Sequence, residues 1–230
     1  VAKAPALVPW LQRQGFTVVV PEFRAAAPGE PGGATWADQL NDLADALAWV
    51  EAHPAEVGAT GEGAVLVGYS SGAHLVALLG ARPERLEARG LPADHVRATV
   101  SLDVHAYDVP LALALMRGSV VQRNIPHIEG LFGETPEEQL AASPSVDAGR
   151  ARVAPSLLVS VDSTAPGQHG DVAGTASAVH AARLRAGGHV AEHRHFEQED
   201  HGSLVLDLGR PGDGPTAAVE GFLAEVRRGR

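Results

Sequence analysis

The 230-residue chain contains no cysteine. That excludes a disulfide framework and a thiolate metal site, and leaves the redox compartment open. Basic residues are few and scattered: Lys3 is the sole lysine, and the formal net charge is −10. Nothing basic is clustered enough to track phosphates, so nucleic acid is not expected as a partner. No apolar run approaches the length of a membrane-spanning helix, and no membrane partner is expected. No signal peptide is legible at the front. The first residue is Val1 rather than Met, which leaves localisation open. What is present is ordinary for a soluble globular protein, with 45% hydrophobic and 20% charged residues, enough for one sizeable core.

Periodicity places helices and strands in alternation. Residues 5–14 read as a helix, with Leu7, Trp10 and Leu11 on one face and Gly15 as its stop. Residues 16–20 (FTVVV) are β-branched and apolar, the pattern of a strand covered on both faces. A long helix is predicted over 34–52, where Trp36, Leu40, Leu43, Leu47 and Val50 recur at spacings of three and four. Thr35 and Asp38 form its capping box, with Asp in place of the usual Glu. Strands follow at 64–67, 97–102, 156–161 and 189–196, and helices at 71–80, 175–186 and 215–228. This rhythm predicts an α/β fold with a mostly parallel sheet flanked by helices, one domain over 1–230. Residues 104–154 break the rhythm with a short apolar helix at 109–116 and an irregular stretch. An insertion there is expected to form a small cap or substrate-binding segment over the strand ends.

The first run with chemical content is Gly68-Tyr69-Ser70-Ser71-Gly72, a G-x-S-x-G between a predicted strand and a predicted helix. Glycines on both sides of Ser70 permit a cramped strand-to-helix turn and clear space beside the hydroxyl. The plainer alternative is a glycine-rich turn whose Ser70 or Ser71 only caps the helix. A serine hydroxyl needs a general base to become nucleophilic, and the base needs an acceptor to orient it. Ser70, Asp162 and His201 follow successive strands in the order Ser, Asp, His, which is the α/β-hydrolase arrangement.

GYSSGAHL resembles the elbow of small carboxylesterases related to feruloyl esterases and bacterial arylformamidases. SLDVHAYDVP, FGETPEEQLAASPSVD and DHGSLVLDLG are similar to segments of that group in the same order. The resemblance implies a Ser-His-Asp mechanism on small or aromatic carboxylic esters, with arylformamide hydrolysis as a close relative. It implies no metal and no organic cofactor. Ser70 is then the nucleophile, His201 the base, and an acid from the loop after strand 156–161 completes the triad.

Two departures from the family stand out. The usual acid slot, a couple of residues past the strand, holds Ser163-Thr164. Asp162 is the first choice in its place, Asp171 the competitor, and Asp103 after the preceding strand the last. The HGG-type loop that supplies half of the oxyanion hole has no counterpart, so only the Ser71 N–H is in view. The strand belonging to that loop would lie between residues 16–20 and 64–67. The expectation is therefore that the natural protein continues upstream, or that a homo-oligomer partner or second chain fills the gap. Direct pairing of 16–20 with 64–67 would contradict it.

Tyr69, beside the nucleophile, is a candidate substrate-binding residue. His193 and His195 form an H-x-H pair on a strand, which suits a metal or simply an exposed strand face, the reading preferred here. A second function class, a hydrolase-type fold retained for binding or assembly, follows from the missing oxyanion loop.

Overall fold

The computed structural model describes residues 4–25, 33–119, 121–162 and 170–229. Its centre is a four-stranded, all-parallel sheet in the order β1 (Ala64–Tyr69), β2 (Val96–Leu102), β3 (Ser156–Val161), β4 (Ala191–Phe196). Parallel neighbours need a crossover connection, and helices supply it. The helices are α1 (Leu7–Arg13), α2 (Trp36–Ala52), α3 (Pro54–Val57), α4 (Ser71–Ala81), α5 (Glu84–Glu87), α6 (Val109–Met116), α7 (Ile125–Phe132), α8 (Pro136–Ala141), α9 (Gly170–Ala186), α10 (His201–Asp207) and α11 (Gly214–Arg228). None of these is long and apolar enough to cross a membrane.

The two inner strands show why the runs are apolar without alternation. In β2, Ala98, Val100 and Leu102 join Leu157, Val159 and Val161 of β3 against Trp10, Leu11, Val219, Phe222 and Leu223 of α1 and α11. The alternate residues of β2 face α4, where Gly80 lies so close to Thr99 that an added Cβ would sit 2.6 Å from its methyl group, and those of β3 face α9. Both faces are covered, so every position of β3 is buried. Register aligns the carboxyl ends: Tyr69 faces Leu102, Leu102 faces Val159, and Val161 faces Phe196. Whatever follows each strand therefore gathers along one edge.

The capping box of α2 forms as the sequence predicts. Thr35 Oγ1 accepts from the Asp38 N–H at 3.2 Å, and Asp38 Oδ2 accepts from the Thr35 N–H at 2.9 Å. Residues 104–154 are more helical than their sequence suggests. Thr135 and Glu138 cap α8 with a second box, and Pro126 and Pro136 each sit in the first turn of their helix, where no N–H is needed. This segment is built into the core. Val104, Tyr107, Leu113, Met116, Ile128 and Phe132 pack in one cluster with Ala73 and Ala77 of α4 and Ala176 and Leu184 of α9.

Residues 16–20 form no strand, which corrects the expectation for FTVVV. They carry no regular secondary structure, and Val19 is 43% and Val20 55% exposed. A strand exists through its pairing, and the described residues give this segment no ladder partner. Its anchors are a hydrogen bond from Thr17 Oγ1 to the Gly58 carbonyl at 2.7 Å and the Arg227 guanidinium 4.1 Å over the Phe16 ring. Among the described residues β1 pairs with β2 alone. A groove of about 680 Å³ lies along its outer edge, walled by Phe16, Thr17, Val19, Leu43, Leu47 and Val226 among others.

Candidate active site

Ser70 stands at the junction of β1 and α4 with φ 55 and ψ −120. A positive φ is costly for a residue with a Cβ, on the order of 1–3 kcal/mol, and persists only where neighbours enforce it. Here the Ser70 N–H is tied to the Leu102 carbonyl at 2.9 Å, and the Ser70 carbonyl accepts from Ala73 at 3.0 Å. Gly68 makes the turn possible, since a Cβ there would lie 2.2 Å from the Gly72 carbonyl oxygen. Gly72 faces open space on its own Cβ side. The Ser70 side chain makes no capping bond to α4, so the helix-cap alternative does not describe it. The residue is partly exposed and Ser71 is exposed. As the first residue of α4, Ser71 directs an N–H away from the helix ladder, where an anion would be favoured.

His201 opens α10. Asp200, its N-cap, accepts from the Gly202 and Ser203 N–H groups at 2.7 and 2.8 Å. This holds the imidazole at the carboxyl edge of the sheet. Its Nδ1 meets Asp103 Oδ2 at 2.6 Å. The Asp103 side chain is 1% exposed, and its other oxygen accepts from the Val161 N–H at 3.2 Å. Asp103 also has positive φ, 50, a conformation that Asp tolerates better than most residues. Its own N–H bonds the Val159 carbonyl at 2.8 Å, extending the ladder one step past β2. With Nδ1–H donated to a carboxylate, Nε2 becomes the basic nitrogen.

Asp162, the acid the sequence favours, is turned elsewhere. Its Oδ1 meets His195 Nε2 at 3.0 Å, His195 Nδ1 meets Ser160 Oγ at 2.9 Å, and Ser160 Oγ meets His193 Nε2 at 2.7 Å. The fully buried Ser160 hydroxyl thus occupies the point where the H-x-H nitrogens converge, a feature the strand-face reading does not anticipate. Among the described residues no group of three or more His, Asp or Glu is set to hold a metal. The side chain of Asp171 lies outside the described residues.

Tyr69 points to His201. Its hydroxyl donates to the His201 carbonyl at 2.6 Å, and its ring lies 4.6 Å from the imidazole. Burial, with the charges of Asp103 and Asp200, pushes the phenol up to about 12, so it is a hydrogen-bond donor at any working pH. Behind the elbow, His74 of α4 is buried with Nε2 2.7 Å from the Ala142 carbonyl, and burial lowers it to about 4. His180 stacks on Tyr107 and bonds Ser145 Oγ at 2.9 Å; burial lowers it to about 3.

A parallel sheet with a strained serine at a strand-to-helix turn, and with His and Asp following later strands, defines the α/β-hydrolase fold. The feruloyl esterase family model BD-FAE matches residues 4–148, and the chain belongs to that family. The matched span holds Ser70 and Asp103 and ends before Asp162 and His201. No curated protein matches the chain. Among solved structures it is similar to a hyperthermophilic esterase from the archaeon Pyrobaculum calidifontis, at TM-score 0.64 and 17% identity over 90% of this chain and 64% of that one. Brefeldin A esterase, described as a bacterial homologue of human hormone sensitive lipase, gives TM-score 0.64 and 19% identity over 91% of this chain and 59% of that one. Thermogutta terrifontis esterase 2 gives 0.57 and 21%, over 84% and 66%. The chain therefore spans about three-fifths to two-thirds of the length of these esterases.

Proposed function

We propose that the chain carries the hydrolytic centre of a serine esterase acting on small or aromatic carboxylic esters, with Ser70 as nucleophile, His201 as general base and Asp103 as its acid. The observation that carries this reading is the pairing of His201 Nδ1 with a buried carboxylate at the strand end next to a serine of positive φ. His201 Nε2 takes the Ser70 proton as Oγ attacks the ester carbonyl carbon. The oxyanion of the tetrahedral intermediate is received by the Ser71 N–H. Collapse expels the alcohol, which leaves with the proton held by His201. Water then enters by the same route, His201 accepts its proton, and the acid departs with Ser70 restored. No metal or organic cofactor takes part. Arylformamides, which present a similar carbonyl, are the nearest alternative substrates. Residues 104–154 shape the acyl side as a cap.

The second oxyanion donor belongs, in this proposal, to a segment or second chain that pairs along the open edge of β1, beside the groove of about 680 Å³. That edge also favours the second reading, a hydrolase-type fold used for binding or assembly. Turnover of a short-chain aryl ester separates the two. The esterase reading expects hydrolysis that disappears in Ser70→Ala and His201→Ala; absence of turnover by the intact full-length protein would leave the binding reading.

A further inference from the structure

The second residue of the elbow, Tyr69, makes two contacts with one residue on a distant element. Its hydroxyl donates to the His201 backbone carbonyl at 2.6 Å. Its ring lies 4.6 Å from the imidazole at 31°. On the strand side, Tyr69 is followed directly by Ser70, and it pairs in register with Leu102, which is followed directly by Asp103. One residue thus adjoins the nucleophile in sequence, sits opposite the neighbour of the acid, and holds the base by backbone and ring.

The segment it holds needs an anchor. Between the end of β4 and His201 the chain crosses residues 197–200, of which Glu197 and Gln198 are exposed. Asp200 caps the helix that His201 opens and Asp103 fixes one nitrogen of its ring; the backbone carrying that ring must also hold still, because a proton transfer tolerates poorly a shift of a fraction of an ångström. The Tyr69 hydroxyl bonds that backbone, and its ring covers one face of the imidazole. The hydroxyl is committed to this bond, so a substrate contact is not its principal use.

We propose that Tyr69 is a positioning residue for the general base, clamping His201 relative to Ser70 and Asp103. This inference rests on the serine-esterase reading, and its test is arranged to keep the two apart. In Tyr69→Phe the ring remains and the hydrogen bond is lost. In Tyr69→Leu both contacts are lost. Steady-state kinetics on p-nitrophenyl acetate are expected to show kcat reduced about five- to tenfold in Tyr69→Phe, the size of one ordinary hydrogen bond, and reduced further in Tyr69→Leu. KM should stay within about twofold in both, since ground-state binding is untouched. A raised KM at constant kcat would mean a substrate contact and overturn the proposal.

Proton NMR of the His201 Nδ1–H in the same three proteins gives a readout independent of turnover. A sharp downfield signal in wild type is expected to broaden in Tyr69→Phe and more so in Tyr69→Leu, with thermal unfolding confirming that each variant is folded. Unchanged signals in both variants would refute the clamp even if the wild-type protein hydrolysed nothing. A wild type without turnover whose signal still broadens in the variants would refute the esterase reading and leave the clamp standing.

Discussion

His201 and Asp103, 98 residues apart in the chain, meet at 2.6 Å with the carboxylate buried beneath the imidazole. The contact spans two strand ends. Asp103 rises from β2, which lies next to the elbow strand, while His201 follows β4 at the far edge of the sheet and reaches back through α10. Asp162 follows β3, one strand further from Ser70, and is held by His195.

Asp103→Asn separates the two candidate acids. It keeps the side-chain shape but removes the charge and the acceptor that sets the tautomer of His201. Ester turnover is expected to fall by about four orders of magnitude, the loss seen when a triad aspartate is amidated. Asp162→Asn should leave turnover within about threefold, as for an exposed position. The reverse pattern, measured in proteins of equal helicity, would return the role to Asp162.

The strain at Ser70 makes a prediction of opposite sign for stability and activity. Glycine reaches φ 55 without a Cβ penalty. Ser70→Gly is therefore expected to abolish turnover while raising stability by roughly 1 kcal/mol in urea titrations. Gly68→Ala is expected to lower stability. Its Cβ would meet the Gly72 backbone at 2.2 Å, so the elbow must shift and stability should fall by 3 kcal/mol or more, on the order of other core overpacking losses.

Arg82 and Asp147 form an ion pair at 2.7 Å with side chains 9% and 5% exposed, and Asp147 also accepts from Arg150 at 2.6 Å. The pair fastens residues 144–149 to the end of α4. Asp147→Ala leaves a guanidinium buried without its charge partner, and chemical denaturation should register a loss of about 3–5 kcal/mol. A loss under 1 kcal/mol would mean that Arg82 finds water instead.

Acid should weaken the fold through His74 and His180. Both are lowered by burial, to about 4 and about 3, against an ordinary value of 6.5. Since the unfolded chain takes up a proton first, their contribution is intact above pH 6.5 and is lost as pH falls toward 4. For His74 the loss is on the order of 3 kcal/mol. Urea midpoints measured from pH 7 to 4.5 should drop, and less steeply in His74→Gln. A parallel drop in both proteins would assign the acid sensitivity to other groups.

Much of this was readable from the residues. The elbow, the α2 capping box and the inner strands announce themselves by local rules: glycines where backbone crowds, Thr35 three residues before Asp38, unbroken apolar runs where both faces are covered. The acid was not. Asp103 looks like an ordinary strand end because nothing local reveals that it adopts φ 50 or that Val161 and His201 converge on its carboxylate. The contact of Tyr69 with His201 was hidden for the same reason, since the two lie 132 residues apart. Residues 16–20 misled in the other direction: they have the composition of a strand, but pairing depends on neighbours that composition does not name. The caps of α8 and α10 have local signatures in TPEE and DHGS, which the turn formers around them mask.

The central assignment is tested most directly by labelling the full-length protein with a serine-reactive fluorophosphonate and locating the adduct by mass spectrometry. Modification is expected at Ser70, lost in His201→Ala, strongly slowed in Asp103→Asn and retained in Asp162→Asn. An adduct on Ser71, no adduct at all, or labelling that survives in Asp103→Asn and vanishes in Asp162→Asn would contradict it.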